Sequence, residues 1–151
     1  MGAALSFPVP VFFDSDVMIA GSASTSGASF VLLQLAELGL IKGTISGQVL
    51  EECRRNLVAK LPDAVIPFEQ IVARCVTVYE DTASPAFKVP ASDQADPKDA
   101  SILAAALGAG ARFLVTFNVK DYCPKPATPI TVLRPGDLLD RIRSALSRLD
   151  T

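Results

Sequence analysis

Apolar residues in this chain fall either into short unbroken runs or into longer stretches with helical spacing, divided by proline, glycine and small polar residues. The short runs, rich in β-branched and aromatic side chains, predict buried strands at Pro10–Phe13, Leu40–Ile45, Cys75–Tyr79, Arg112–Thr116 and Pro129–Leu133. Apolar residues three and four apart predict helices between them. One covers Ala28–Leu38, with Val31, Leu32, Leu35 and Leu38 apolar, and stops at Gly39. A second takes Ser46 as its N-cap and runs to about Lys60, with Val49, Leu50, Cys53 and Leu57 on its core side. Pro62 and Pro67 break it, and a short helix resumes over Pro67–Ala73. A third has Asp96 as N-cap, Pro97 at the first helical position and Gly108 or Gly110 as its stop. A closing amphipathic helix places Leu138, Leu139, Ile142, Ala145, Leu146 and Leu149 inward and Arg141, Arg143 and Arg148 outward. Ser22–Gly27 and Glu80–Ala95 read as loops. This alternation predicts a doubly wound, three-layer α/β/α fold with a central, mostly parallel sheet.

Acidic residues sit at the ends of these elements. At about 100° per residue, Ile102, Leu103, Ala106 and Leu107 share one helical face, and Asp99 lies at the centre of it. Deep burial of that carboxylate would be costly, but in the first turn it can look out of the end of the core into a cleft. The helix starts at the edge where parallel strands end, so Asp99 and Asn118 should meet at the carboxyl edge of the sheet. Asp14 stands at the same edge, directly after the first strand. Each residue also has a plainer reading: Asp99 as the third-position carboxylate of a capping box, and Asp14, Asn118 and Asp121 as turn residues. Glu51 and Glu52 flank the core side of the second helix, Glu52 somewhat nearer to it, and periodicity alone does not choose between them. Arg54, Arg55 and Lys60 make that helix the most basic in the first half, a pattern that also suits a solvated surface.

Composition narrows the chemistry. With 151 residues, 50% of them hydrophobic, the chain has the size of one domain, residues 1–151, with a substantial core. No apolar run approaches the roughly 20 residues of a membrane span, and no basic region precedes the first apolar residues as in a secretory signal. Met1, Gly2 and Ser6 satisfy the loose myristoylation pattern, which is too short to outweigh coincidence. Cys53, Cys75 and Cys123 are odd in number, widely spaced and without a CxxC pair, which predicts reduced thiols in a cytoplasmic protein. Histidine is absent, which removes an imidazole base, a Ser-His triad and a His-ligated zinc. Hydrolysis would have to rest on carboxylates, with or without a metal, or on Cys, Ser or Lys. A net charge of −2 counts against general nucleic-acid binding but leaves room for a local basic patch.

Three blocks in this order, VFFDSDVMIAG, ISGQVLEECRRNL and ADPKDASILAAALGAGARFLVTFNVKDY, resemble the PIN-domain ribonucleases, a compact nuclease fold found in many bacterial toxin–antitoxin toxins. The resemblance spans almost the whole chain, and the last block is its most specific part. It implies that Asp14, Glu52 and Asp99 are the first three site acids and would bind Mg²⁺ or Mn²⁺. The fourth position, commonly Asp, is Asn118 here, so either Asn118 serves as a neutral ligand or Asp121 takes the role. Asp16 and Thr116 match supporting positions, and Arg54, Arg55 and Lys120 are candidates to hold the substrate. By implication the substrate is RNA, the partner an antitoxin and the assembly a homodimer. The chemistry agrees: Mg²⁺ and Mn²⁺ prefer oxygen ligands, and converging acids without a cation would raise the pKa of at least one of them. Two other readings compete. Asp14-Ser15-Asp16 resembles the DxD of haloacid-dehalogenase-type phosphatases, with Asp14 as nucleophile, although Met18 stands where that motif expects Thr or Val. The other is a PIN scaffold with weak or no catalysis, for which Asn118 gives some support.

Overall fold

The computed structural model describes residues 4–80, 97–122 and 128–150, those at 97, 98 and 150 by backbone alone. Five strands, β1 (Val9–Phe13), β2 (Ile41–Ser46), β3 (Val76–Tyr79), β4 (Phe113–Val115) and β5 (Thr131–Leu133), form one sheet in the order β3-β2-β1-β4-β5. Every pairing is parallel, with Val11 opposite both Gly43 of β2 and Phe113 of β4. Strands buried on both faces need no alternation, which is why β1 and β4 read as continuous apolar runs. Their side chains Phe12, Phe13, Phe113 and Leu114 are fully enclosed.

Among the described residues six helices complete three layers: α1 (Ser15–Ala23), α2 (Ala28–Glu37), α3 (Gly47–Lys60), α4 (Val65–Cys75), α5 (Pro97–Gly108) and α6 (Pro135–Ser147). α1 packs on α2, α3 and α4, α6 packs on α2, and α5 lies against β2. No single helix among the described residues is long and apolar enough to cross a membrane.

Several expectations are corrected. Ser22 and Ala23, expected in a loop, instead close a helix over Ser15–Ala23, a stretch for which no element was predicted, and only the short stretch from Ser24 belongs to a loop. Apolar or small residues occur all round it, since Ser15, Val17, Met18, Gly21 and Ser22 are all buried, so no polar face marks the repeat. α4 spans Val65–Cys75, with Pro67 tolerated in its first turn after a 3₁₀ turn at Pro62–Ala64. Leu38 and Leu149 are not core: α2 ends at Glu37 and α6 at Ser147, leaving them 75% and 71% exposed. Just beyond Leu38 the chain turns through Gly39, whose φ of +88° favours glycine. Cys53 and Cys75 are free and buried. Asp96 as a cap, Cys123, residues 81–95 of the loop, and the Met1–Gly2 pattern lie outside the described residues.

Candidate active site

The sheet order reverses at β1, with β2 on one side and β4 on the other, and such a switch point opens a crevice at the carboxyl ends of the strands. Backbone bonds extend the ladder past the strands there. The Asp14 N–H donates to the Val115 carbonyl and the Thr116 N–H to the Leu133 carbonyl, each at 3.0 Å. Asp14 and Thr116 are thereby fixed side by side.

Asp14 is 6% exposed and its carboxylate is well held. Oδ1 accepts the Ser15 N–H at 2.8 Å, so the residue caps α1 as well as ending β1. Oδ2 accepts the Thr116 hydroxyl at 2.9 Å and the Tyr122 phenol at 3.1 Å. Burial, followed by the charges of Asp14 and Asp99, pushes the Tyr122 phenol above its ordinary range, which keeps it a donor. Thr116 Oγ1 in turn accepts the Asn118 N–H at 3.1 Å.

Asp16, in the first turn of α1, reaches the same corner. Its Oδ2 accepts the Phe117 N–H at 3.0 Å and the Asn118 side-chain amide at 3.2 Å. Its Oδ1 is buried and has no hydrogen-bond partner. Burial, then the Asp14 charge, raises its pKa to about 6, with the Phe117, Val17 and Thr116 hydrogen bonds pulling the other way. Burial is the larger cause, so the shift on Asp16 reflects desolvation more than the crowding of acids.

Asp14, Asp16, Glu52, Asp99, Asn118 and Asp121 all line one cavity of about 740 Å³. Glu52 comes from the second turn of α3, whose start is fixed by Ser46 Oγ accepting the Val49 N–H at 3.3 Å. Glu51, its neighbour, is exposed and does not line the cavity. Asp99 comes from the first turn of α5, and a hydrogen bond of 2.6 Å from Ser101 to Gln48 ties that turn to α3. The 3₁₀ turn Val119–Asp121 carries Asp121 and delivers Tyr122. Asn118 and Asp121 thus share the cavity, with the Asn118 amide turned toward Asp16.

The candidate substrate residues do not join them. Arg54 forms a two-bond pair with Glu69, at 2.8 and 3.0 Å, away from the cavity. Arg55 and Lys120 are exposed and outside its lining. Tyr122, Gln48, Asn56 and Lys60 line it without having been singled out as site residues. The last three had a signal in the sequence: with Glu52 they are spaced four apart, which puts them along one side of α3.

A divalent cation fits the chemistry of this donor set. The donors are all oxygen, and Mg²⁺ is commonly held by one or two carboxylates with water and phosphate oxygens completing its shell. Among the described residues no group of three acids, cysteines or histidines is arranged to hold one ion, so a cation here would have to take fewer direct carboxylate ligands and more water. The bare Oδ1 of Asp16 is the clearest structural sign, since a buried carboxylate oxygen calls for a proton or a cation. Cys53 takes no part: burial, then Glu52, Asp14 and Asp16, push its thiol up to about 12.

A family model for the PIN domain matches residues 10–120, and the chain belongs to that family. Among solved structures, the fold is similar to a chain in the crystal structure of VapBC2 from Rickettsia felis bound to a DNA fragment from their promoter. The two share 15% identity with a TM-score of 0.61, over 83% of this chain and 98% of that one. At that identity the likeness is one of fold. No curated protein is a significant match.

Proposed function

We propose that the protein is a metal-dependent endoribonuclease and the toxin of a toxin–antitoxin pair. The observation that carries this reading is the convergence of Asp14, Glu52, Asp99 and Asp121 from four separate parts of the chain on one cavity at the sheet's carboxyl edge. Membership in a family of nucleases supports phosphodiester hydrolysis. The likeness in fold to VapBC2 supports the toxin role and an antitoxin partner. A cytoplasmic homodimer is part of the same proposal.

In this reading Asp14, Glu52 and Asp99 would share the holding of one or two Mg²⁺ or Mn²⁺ ions, fewer than three of them directly on any one ion and the rest through water, with Asp121 or the Asn118 carbonyl oxygen as the further donor. When bound, the ion would make a coordinated water more acidic and offset charge on the phosphate. The protein's own share is positioning. Thr116 and Tyr122 hold Asp14, while the Phe117 N–H and Asn118 hold Asp16, so the acids need little reorganisation when substrate arrives. Phosphatase chemistry with Asp14 as nucleophile is disfavoured, because Met18 stands where that motif expects Thr or Val.

The test is cleavage of single-stranded RNA by purified protein with EDTA, Mg²⁺ or Mn²⁺, for the wild type and Asp99→Asn. Asp99→Asn is expected to lose at least about a hundredfold of the metal-dependent rate, the scale of removing a key electrostatic group. Its metal-free stability should match or exceed that of wild type, provided the new amide finds partners. A variant that is about 1 kcal/mol less stable yet fully active would mean that Asp99 only caps α5.

A further inference from the structure

The cavity has two unlike ends. Around Asp14, Asp16, Glu52, Asp99 and Asp121 it is acidic; farther along α3 it passes Asn56 and reaches Lys60. Glu52, Asn56 and Lys60 lie four residues apart, so the helix lays them out as carboxylate, amide and ammonium over a rise of about 12 Å. The opposite wall at that end is apolar: Ile19 and Ala23 come from one side of α1, and Leu61, 44% exposed, follows the end of α3. Lys60 is the only Lys or Arg among the described residues that line the cavity. Arg54 is occupied by Glu69, whereas Lys60 has no ion pair among the described residues, and Asp63 shares only the adjoining recess with it.

A phosphodiester at the acidic end belongs to a chain whose next phosphate and base must go somewhere. A lone cation beside an amide and an apolar wall matches one nucleotide: phosphate on the ammonium, base edge on the amide, base face on the aliphatic side chains. We propose that the Lys60 end of the cavity seats the nucleotide flanking the scissile phosphate of a single-stranded RNA. Lys60 holds its phosphate, and Asn56 meets its base against Ile19, Ala23 and Leu61. The proposal rests on the nuclease reading above and adds to it the direction in which the substrate leaves the site. A plainer role for Lys60, favourable charge at the carboxyl end of α3, would affect stability alone.

The experiment measures kcat and KM for a fluorescent single-stranded RNA oligonucleotide with Mn²⁺ at several salt concentrations, together with direct binding of that oligonucleotide. Lys60→Ala should raise KM about tenfold at low salt, hold kcat within about twofold, and reduce the slope of log affinity against log salt by about 0.7, one phosphate contact. Lys60→Arg should restore most of the affinity. Asn56→Ala should leave the salt slope alone and narrow the differences in kcat/KM among oligonucleotides varied at one base. Lys42→Ala, on exposed β2 surface outside the cavity, is the control. A wild type that cuts RNA while Lys60→Ala keeps its KM and salt slope, or while Lys42→Ala shifts them equally, overturns this inference and leaves the nuclease reading intact. A wild type that neither binds nor cuts the oligonucleotide overturns both.

Discussion

Asp16 shows how a single side chain can record the condition of a whole site. Its hydrogen-bond donors, the Phe117 N–H, the Asn118 amide and, at 3.3 Å, the Thr116 hydroxyl, all fall on one oxygen and none on the other, and its pKa rises from 3.8 to about 6 chiefly through burial. A raised acid binds its proton more tightly in the folded than in the unfolded state. It is neutral and harmless below about pH 4, and opposes folding increasingly as pH climbs through 6. Metal-free wild type should therefore lose stability relative to Asp16→Asn between pH 4 and 6, by about 1 kcal/mol after allowance for solvent screening. Urea unfolding of both proteins in EDTA across that range checks it, and a constant difference would assign the carboxylate no such penalty. That Asp14, Glu52 and Asp99 would line one cavity was legible, because element ends point to Asp14 and Asp99 and the family pattern to Glu52. Tyr122 was not. Its donation to Asp14 spans 108 residues and exists only because the 3₁₀ turn before it folds the phenol back.

Element by element, legibility followed amphipathicity and caps. α3 was readable from end to end, since Ser46 caps it and its buried positions Val49, Cys53 and Leu57 keep the helical period. α1 was hidden because burial on nearly every side erases the period that a sequence reader relies on. The cap on α3 has a consequence for the site, because its first two turns carry Gln48 and Glu52. Ser46→Ala removes the hydroxyl that accepts the Val49 N–H and should cost about 1 kcal/mol of stability. Ser46→Asp should recover much of it, as an alternative N-cap. Melting temperatures of the two variants decide this; equal losses would mean that the hydroxyl's burial at 1% exposure, more than its cap bond, is what matters.

At the scale of the whole molecule, a chain of net charge −2 concentrates several of its acids in one cavity. A cation held there binds the folded state in preference to the unfolded one and must stabilise it. At a hundredfold excess over its dissociation constant, Mn²⁺ should add about 2.7 kcal/mol. For a protein of this size that is a rise of roughly 5 to 10 °C in melting temperature. Asp99→Asn should show a much smaller rise. Calorimetry with titrated Mn²⁺ tests both, and a melting temperature indifferent to millimolar Mn²⁺ and Mg²⁺ would leave the acids without their proposed ion. The strand order was not readable from the run of elements alone. The return to β4 beside β1 follows residues 81–96, whose sequence carries no periodic signal.

The hydrogen bonds from Thr116 and Tyr122 to Asp14 bear on when, during the protein's life, activity begins. Asp14 is made early, yet the groups that hold it lie 102 and 108 residues later in the chain. At the pace of translation that gap lasts roughly 5 to 20 seconds. A ribosome-bound chain that has already paired β1 with β2 still has neither the second wall of the crevice nor the donors that aim its first acid. If the protein cuts RNA, it cannot do so before Thr116 and Tyr122 have been made, and the ribosome that makes it is spared until then.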